Sequence, residues 1–338
     1  MSLVNFPKRN YVNGCTPIEK MEALTKALDG PEIYIKRDDL TGLPFGGNKT
    51  RKLEYLMADA LEKGADTIIT CGAVQSNHCR LTLAAAIREK LKCQLVIEER
   101  IPNSYDVHAN GNNFLFNLMQ PEAIHVCPFG QSPVEEMAKL AEKLRAEGRV
   151  PYIIPVGGSN EIGDLGYVAC AEEIVQQMNQ MNICFDRIFV TSGSAGSHAG
   201  LLAGMKLLKQ DIIVQGIGIN RPYEIQKAAV LELANETLEK MGYEPFLTPE
   251  DIFVDCNYVG GGYSVPTEKM QHAVELVART EAIMLDPTYT GKTMSGLIDM
   301  IQKGNIKKGE TILFVHTGGT PGLFAHPEIF QNGYSLPH

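Results

Sequence analysis

The chain has 338 residues, 44% of them hydrophobic and 21% charged, with a formal net charge of −9. That length accommodates about two domains of ~150 residues, each able to bury a core. The acidic balance and the scattered Lys and Arg argue against nucleic acid or an anionic membrane as the main partner, and no apolar stretch approaches the ~18 residues of a membrane span.

Taken in chain order, the first strand signal is EIYIKRD (32–38), followed by the loop GGNKTRK (46–52). A helix is expected next, since Leu53, Leu56, Met57, Ala60 and Leu61 recur at i, i+3, i+4, i+7 and i+8 and the pattern stops at Gly64. The strand DTIITCG (66–72) leads through GAVQSNHCR (72–80) into the helical run RLTLAAAIREKL. Strands QLVIEE (94–99) and AIHVCP (123–128) come next, then a helix striped by Met137, Leu140, Ala141 and Leu144 that ends at Gly148. PYIIPVG (151–157), DRIFVTSG (186–193), IIVQGIGI (212–219) and TILFVHTGG (311–319) complete the strand candidates. Strict alternation of strands and helices implies an α/β fold with mainly parallel sheets.

In such sheets ligands bind beyond the carboxyl ends of the strands, so the loops there carry the information. Besides GGNKTRK and GAVQSNHCR they include SGSAGSHAG (192–200), DPTYTGKT (286–293) and VHTGGTPG (315–322); YVGGGYSVP (258–266) is glycine-rich without clearly following a strand. SGSAGSHAG precedes a helix, and amides at a helix N-terminus favour an anion such as phosphate; a plain tight turn is the competing reading. Gly193, Gly196 and Gly200 lack the G-x-G-x-x-G spacing of a dinucleotide site, and the next strand ends GIGIN without a ribose-binding acid. TYTGKT matches only the end of a phosphate-binding P-loop, because Asp286 stands where that motif needs glycine. QSNH (75–78) offers amides, a hydroxyl and an amide side chain that could seat a carboxylate, or Ser76 and Asn77 could simply cap the helix. Nothing resembling a Ser/His/Asp triad supports hydrolase chemistry.

The eight cysteines form no C-x-x-C pair and no His/Cys grouping with zinc spacing, so no metal site is expected. Several lie in apolar runs, as reduced thiols do, and MSLVNFPKRN has no apolar h-region. The expected compartment is the cytoplasm. Lys49 stands behind a flexible Gly-Gly pair at a helix start, where a cation has the wrong sign for the helix dipole. A phosphate cradle, a carboxylate seat, two loop tyrosines and this lysine together suit a pyridoxal 5'-phosphate enzyme. Arg51 and Lys52, in the same run, are expected to be solvated, with a positive field near the cofactor phosphate as the other reading.

The set IKRDDLTGLPFGGNKTRKLEYLMADAL, QSNHCR, SGSAGSHAG, DPTYTGKTMSGLID and FVHTGGTP resembles the D-cysteine desulfhydrase/1-aminocyclopropane-1-carboxylate (ACC) deaminase family, from about residue 7 to about residue 325. The resemblance implies a fold-type-II pyridoxal-phosphate enzyme with two three-layer α/β/α domains: a discontinuous large one, 1–51 and 161–338, and a small one, 52–160. It implies that Lys49 binds the cofactor aldehyde and that Lys292, the other Gly-flanked lysine, does not. It places Asn77 at the cofactor's phenolic oxygen and also beside the substrate, with Ser76 and His78 near the substrate carboxylate. Gly193, Ser194, Ala195, Gly196 and Ser197 would hold the phosphate, Tyr263 and Tyr289 would border the substrate, and Thr290 and Thr317 would sit at the cofactor. Lys49, Ser76, Tyr263 and Tyr289 are the implied catalytic set; the implied partners are a small amino-acid substrate and a second copy in a homodimer.

ACC deaminases carry a glutamate after the second tyrosine, where this chain has Thr290. A neutral hydroxyl there makes the cofactor ring a weaker electron sink, which suits β-elimination better than cyclopropane opening. The expected activity is therefore D-cysteine desulfhydration. L-cysteate sulfo-lyase is the alternative because NYVGGGYSVPTE resembles those enzymes; ACC deamination and a non-catalytic pyridoxal-phosphate or metabolite-binding protein rank behind it.

Overall fold

Short β-branched runs build the sheets of the computed structural model, which describes residues 3–330. The strands are β1 (Ile18–Lys20), β2 (Glu32–Lys36), β3 (Thr67–Ala73), β4 (Lys92–Glu98) and β5 (Ala123–Cys127). After them come β6 (Pro151–Ile154), β7 (Arg187–Ser192), β8 (Ile213–Gly218), β9 (Phe253–Asp255) and β10 (Thr311–Val315). They form a six-stranded sheet ordered β1-β2-β10-β7-β8-β9 and a four-stranded sheet ordered β5-β4-β3-β6. Every pairing is parallel except β1 with β2.

Helices cover both faces, so central strands are apolar on both sides. All seven residues of β3 are buried. In β7 and β10 the side chains alternate: Ile188, Val190, Leu313 and Val315 pack with Tyr167 and Leu202, whereas Phe189, Ile312 and Phe314 pack with Leu285 and Leu297. Because β10 returns between β2 and β7, the loops after these three strands emerge side by side at their carboxyl ends. The loops after β3, β4 and β6 gather at the matching edge of the four-stranded sheet.

All eight strand candidates form. PYIIPVG was expected to run to residue 157, but β6 stops at Ile154. Pro155 has no N–H to donate to a ladder, and Gly157 and Gly158 turn the chain with φ of 67° and 61°.

Arg51 and Lys52 correct the expectation of solvated charge: they are 3% and 0% exposed. Arg51 donates to both oxygens of Asp38, from Nε and Nη2 at 2.8 Å each, and from Nη1 to Glu173 at 2.9 Å. Glu173 lies on the helix Glu161–Met181, which packs along the helix Lys49–Glu62. Lys36 pairs with Glu173 in the same cluster. Lys52 turns the other way, 3.1 Å from buried Asp164. Glu173 and Asp164 thus reach these cations from more than 100 residues away in the chain, which no local pattern reveals.

Candidate active site

Gly46 opens the loop that presents Lys49. Its φ is +56°, and a Cβ there would lie 1.8 Å from Asp39 O, so only glycine fits. Asn48 then anchors the turn, its N–H donating to Thr317 O at 3.0 Å and its Nδ2 to Ser197 Oγ at 2.8 Å. Lys49 is the first residue of the following helix, and its Nζ donates to Gly157 O at 3.0 Å at the edge of a cleft. Burial, with the like charge of Lys52, holds this amine well below the usual lysine range. The neutral amine is a nucleophile and a proton acceptor. Gly157 was missed in the sequence; its signal was the glycine pair that follows β6.

Across the cleft, β7 leads into Gly193, Ser194 and Ala195 and then the helix Gly196–Leu207. Ala195 takes φ +70° with ψ −35°, a sparsely populated conformation costing a Cβ-bearing residue about 1–3 kcal/mol, and this turns the chain into the helix. Gly193, Ser194, Ala195 and Ser197 line the cleft. Gly196 lies behind them, where a Cβ would sit 2.2 Å from Asp164 Oδ1 and 2.4 Å from Lys52 Nζ. Lys52 also donates to Ser159 Oγ at 2.8 Å, and Ser159 shares a 2.8 Å hydrogen bond with Ser194. Burial pushes the Asp164 carboxyl up to about 6 while Lys52 pulls it back. Ser194, Ser197 and the start of the helix Gly196–Leu207 therefore meet at one concavity with Lys52 buried behind it, a donor set suited to an anion. Lys52 is the second residue the sequence reading did not place, since it preferred solvated charge to a positive field near a phosphate.

A Gly196→Ala variant is expected to hold the pyridoxal phosphate that the resemblance implies about 10- to 100-fold more weakly, since moving the turn away from Lys52 loses one or more charge-assisted hydrogen bonds. Titrating stripped protein with pyridoxal phosphate by absorbance measures this; unchanged affinity would remove Gly196 from the cradle.

The third wall starts at Ser76, which caps the helix Asn77–Arg88 by accepting the Cys79 N–H at 3.1 Å. The capping reading of Ser76 is thus realised, and Ser76, Asn77 and His78 all line the cleft as well. Asn77 Oδ1 accepts from Arg80 Nη1 at 2.6 Å and Asn112 Nδ2 at 3.0 Å. A guanidinium can only donate, so the oxygen faces it and the Asn77 amino group is left for the cleft. Arg80, fully buried, also bridges Asn112 Oδ1 and Gly46 O, joining this helix start to the Lys49 loop. Burial pushes its guanidinium down to about 9. Arg80 is the third residue the sequence reading missed; of its partners only Asn77, three residues earlier, is local. His78 Nε2 bonds the Thr70 hydroxyl at 2.8 Å. Burial, then Lys49 and Lys52, keep this imidazole well below the usual histidine range.

Tyr263 and Tyr289 close the cleft with their hydroxyls hydrogen-bonded to each other and their rings edge to face, centroids 5.9 Å apart. Burial raises both phenols, Tyr289 more strongly, while Arg100 opposes the rise at Tyr263. Lys292 does not line the cleft; it donates to Val259 O at 2.7 Å and Gly262 O at 2.8 Å and so pins the Tyr263 loop. Thr317 lines the cleft, but Thr290 is turned inward, a correction to its expected place at the cofactor. Its hydroxyl donates to Asp286 Oδ1 at 2.8 Å and accepts the Asp286 N–H at 2.9 Å. Asp286 takes the amides of Thr288, Tyr289 and Thr290 at the start of the helix Thr290–Gln302, so that hydroxyl is consumed in the turn. Among the described residues no group of three or more His, Cys, Asp or Glu could hold a metal ion, and no helix is long and apolar enough to cross a membrane.

A family profile described as pyridoxal-phosphate dependent enzyme matches residues 10–318. The chain is 44% identical over 329 residues to a D-cysteine desulfhydrase of Yersinia enterocolitica, covering 97% of this chain and 98% of the relative. It is 41% identical, with the same coverage, to a D-cysteine desulfhydrase of Serratia proteamaculans. Among solved structures, an ACC deaminase homologue superposes with a TM-score of 0.89 at 38% identity, covering 98% of this chain and 97% of that one. The fold is also that of an O-ureido-L-serine synthase, with a TM-score of 0.65 at 15% identity over 96% of this chain and 94% of the other.

Proposed function

Because the chain belongs to the pyridoxal-phosphate dependent enzyme family, we propose that it is a carbon–sulfur lyase that eliminates the β-substituent of a small amino acid, D-cysteine above all. One observation carries this reading: Lys49 Nζ, Ser76 and the joined hydroxyls of Tyr263 and Tyr289 face one cleft, in a chain whose full-length relatives carry the D-cysteine desulfhydrase name.

The residues present fit the cofactor. The Gly196 cradle, where a Cβ has no room, would take the phosphate with Ser194, Ser197 and Lys52. Lys49 would take the aldehyde, the Asn77 amino group the phenolic oxygen, and Thr317 the vicinity of the ring nitrogen. Bound there, pyridoxal phosphate supplies an electron sink for the substrate Cα. No Asp or Glu lines the cleft among the described residues, so the chain offers the ring no carboxylate partner, which favours β-elimination over cyclopropane opening.

The amides at the start of the Asn77 helix, with Ser76, seat the substrate carboxylate. Lys49 Nζ, kept neutral by burial, is the candidate acceptor of the Cα proton. The Tyr263–Tyr289 pair, buried and sharing a hydrogen bond, borders Cβ and can hand a proton to a departing group from either hydroxyl. We include in the proposal a division into 1–51 plus 161–338 and 52–160, supported by a four-stranded sheet drawn wholly from residues 67–154. A homodimer, implied by the resemblance and checked by sedimentation, and a cytoplasmic location, in keeping with eight free cysteines, complete it.

The test is a panel of D-cysteine, L-cysteine, both β-chloroalanines, L-cysteate and ACC, with sulfide, sulfite and keto acid each measured. Equal yields of sulfide and pyruvate from D-cysteine are expected. Sulfite from L-cysteate at much higher efficiency would instead assign the sulfo-lyase reaction.

A further inference from the structure

Two residues beyond the end of β4, Arg100 reaches across from the four-stranded sheet and lies over the Tyr263 ring, its guanidinium carbon 4.0 Å from the ring centroid. Nε donates to Glu98 Oε2 at 2.8 Å, and the two terminal nitrogens have no hydrogen-bond partner among the described residues. Arg100 lines the same cleft as Lys49 and Ser76. The substrate carboxylate and the cofactor phosphate already have their donors at two helix N-termini, and Lys52 lies under the phosphate cradle. Arg221, the remaining arginine in the cleft, sits on the loop after β8, on the six-stranded side. Arg100 is therefore a cation paired through Nε with Glu98 but with both terminal nitrogens unused, placed over one of the two tyrosines that border Cβ.

We propose that Arg100 binds the β-substituent of the substrate and stabilises its negative charge as it departs, which makes it the leaving-group residue of the site. This rests on the elimination reading above. In that reaction the Cα proton passes to a base, the Cβ–S bond breaks and its electron pair leaves on sulfur. D-cysteine thereby becomes 2-aminoacrylate and hydrosulfide, and 2-aminoacrylate with one water gives pyruvate and ammonia. A cation beside the sulfur matters most for a leaving group that departs reluctantly. Chloride departs readily and needs little such help.

The test compares wild type, Arg100→Met and Arg100→Lys holoenzymes on D-cysteine and β-chloro-D-alanine, taking the ratio of the two kcat/KM values. Arg100→Met is expected to lower that ratio about 10- to 100-fold, the scale of one hydrogen bond to a charged group, with Arg100→Lys in between. An equal loss on both substrates would reduce Arg100 to a support for Tyr263 or for the carboxylate, and no loss would leave it without a role; either overturns the proposal. Circular dichroism and cofactor absorbance check each variant, and if Arg100→Met does not fold, the Arg100→Lys ratio decides. A wild type that releases no sulfide from D-cysteine refutes the preceding reading; the same ratio is then taken between L-cysteate and β-chloro-L-alanine. Inactivity on all four substrates refutes both.

Discussion

A Lys49→Ala variant is expected to lose the yellow colour of lysine-bound cofactor and to fall by more than about 10³-fold in turnover, because one side chain supplies both the cofactor attachment and the candidate base. The two Gly-flanked lysines make this a sharp comparison. Lys49 Nζ faces the cleft and makes a single hydrogen bond, to Gly157 O, whereas Lys292 Nζ is held by two backbone carbonyls away from it. Lys292→Met should therefore retain bound cofactor while loosening the loop that carries Tyr263. Absorbance spectra of the two purified variants and their pyruvate release separate the roles. A yellow, active Lys49→Ala protein would end the assignment.

Much of this site was legible in the sequence because the fold places its chemistry in strand-to-helix loops that sit between strong strand signals. QSNH follows β3 and SGSAGS follows β7, and Ser76, Asn77, His78, Gly193, Ser194, Ala195 and Ser197 meet at one cleft with Tyr289, whose loop comes after a helix instead. The edge strands β1 and β9 went unread because three residues each carry no periodicity. Arg51, Lys52 and Arg80 were illegible for a different reason. A charged residue reads as exposed unless its partner is known, and these partners are Glu173, Asp164 and Asn112, brought close only by the packing of helices. Thr290 failed through competition: its hydroxyl could serve the cofactor or Asp286, and the turn took it.

The Arg51 cluster carries the largest stability effect expected, at Asp38. Its two oxygens accept from Arg51 Nε and Nη2, from Thr16 Oγ1 at 2.8 Å and from Tyr167 Oη at 2.9 Å, all without solvent. Asp38→Ala leaves those donors buried and unmatched, and should cost about 3–5 kcal/mol, the scale for breaking a buried ion pair. Burial pushes this carboxyl up, but Arg51 and Lys36 outweigh it and hold it below the ordinary aspartate range. A depressed folded pKa means that its contribution is intact at neutral pH, declines as pH falls below the unfolded aspartate's pKa and is gone once pH has fallen through the folded one. The same cluster fixes the first turn of the helix that begins at Lys49, two residues before Arg51. Asp38→Ala should therefore weaken cofactor affinity as well as shift the urea midpoint. The chain has no tryptophan, so circular dichroism is the suitable unfolding signal. A lower midpoint with unchanged cofactor affinity would show that the ion cluster holds the fold without holding Lys49. Movement of both would tie the buried charges of GGNKTRK to the reactivity of the lysine within it.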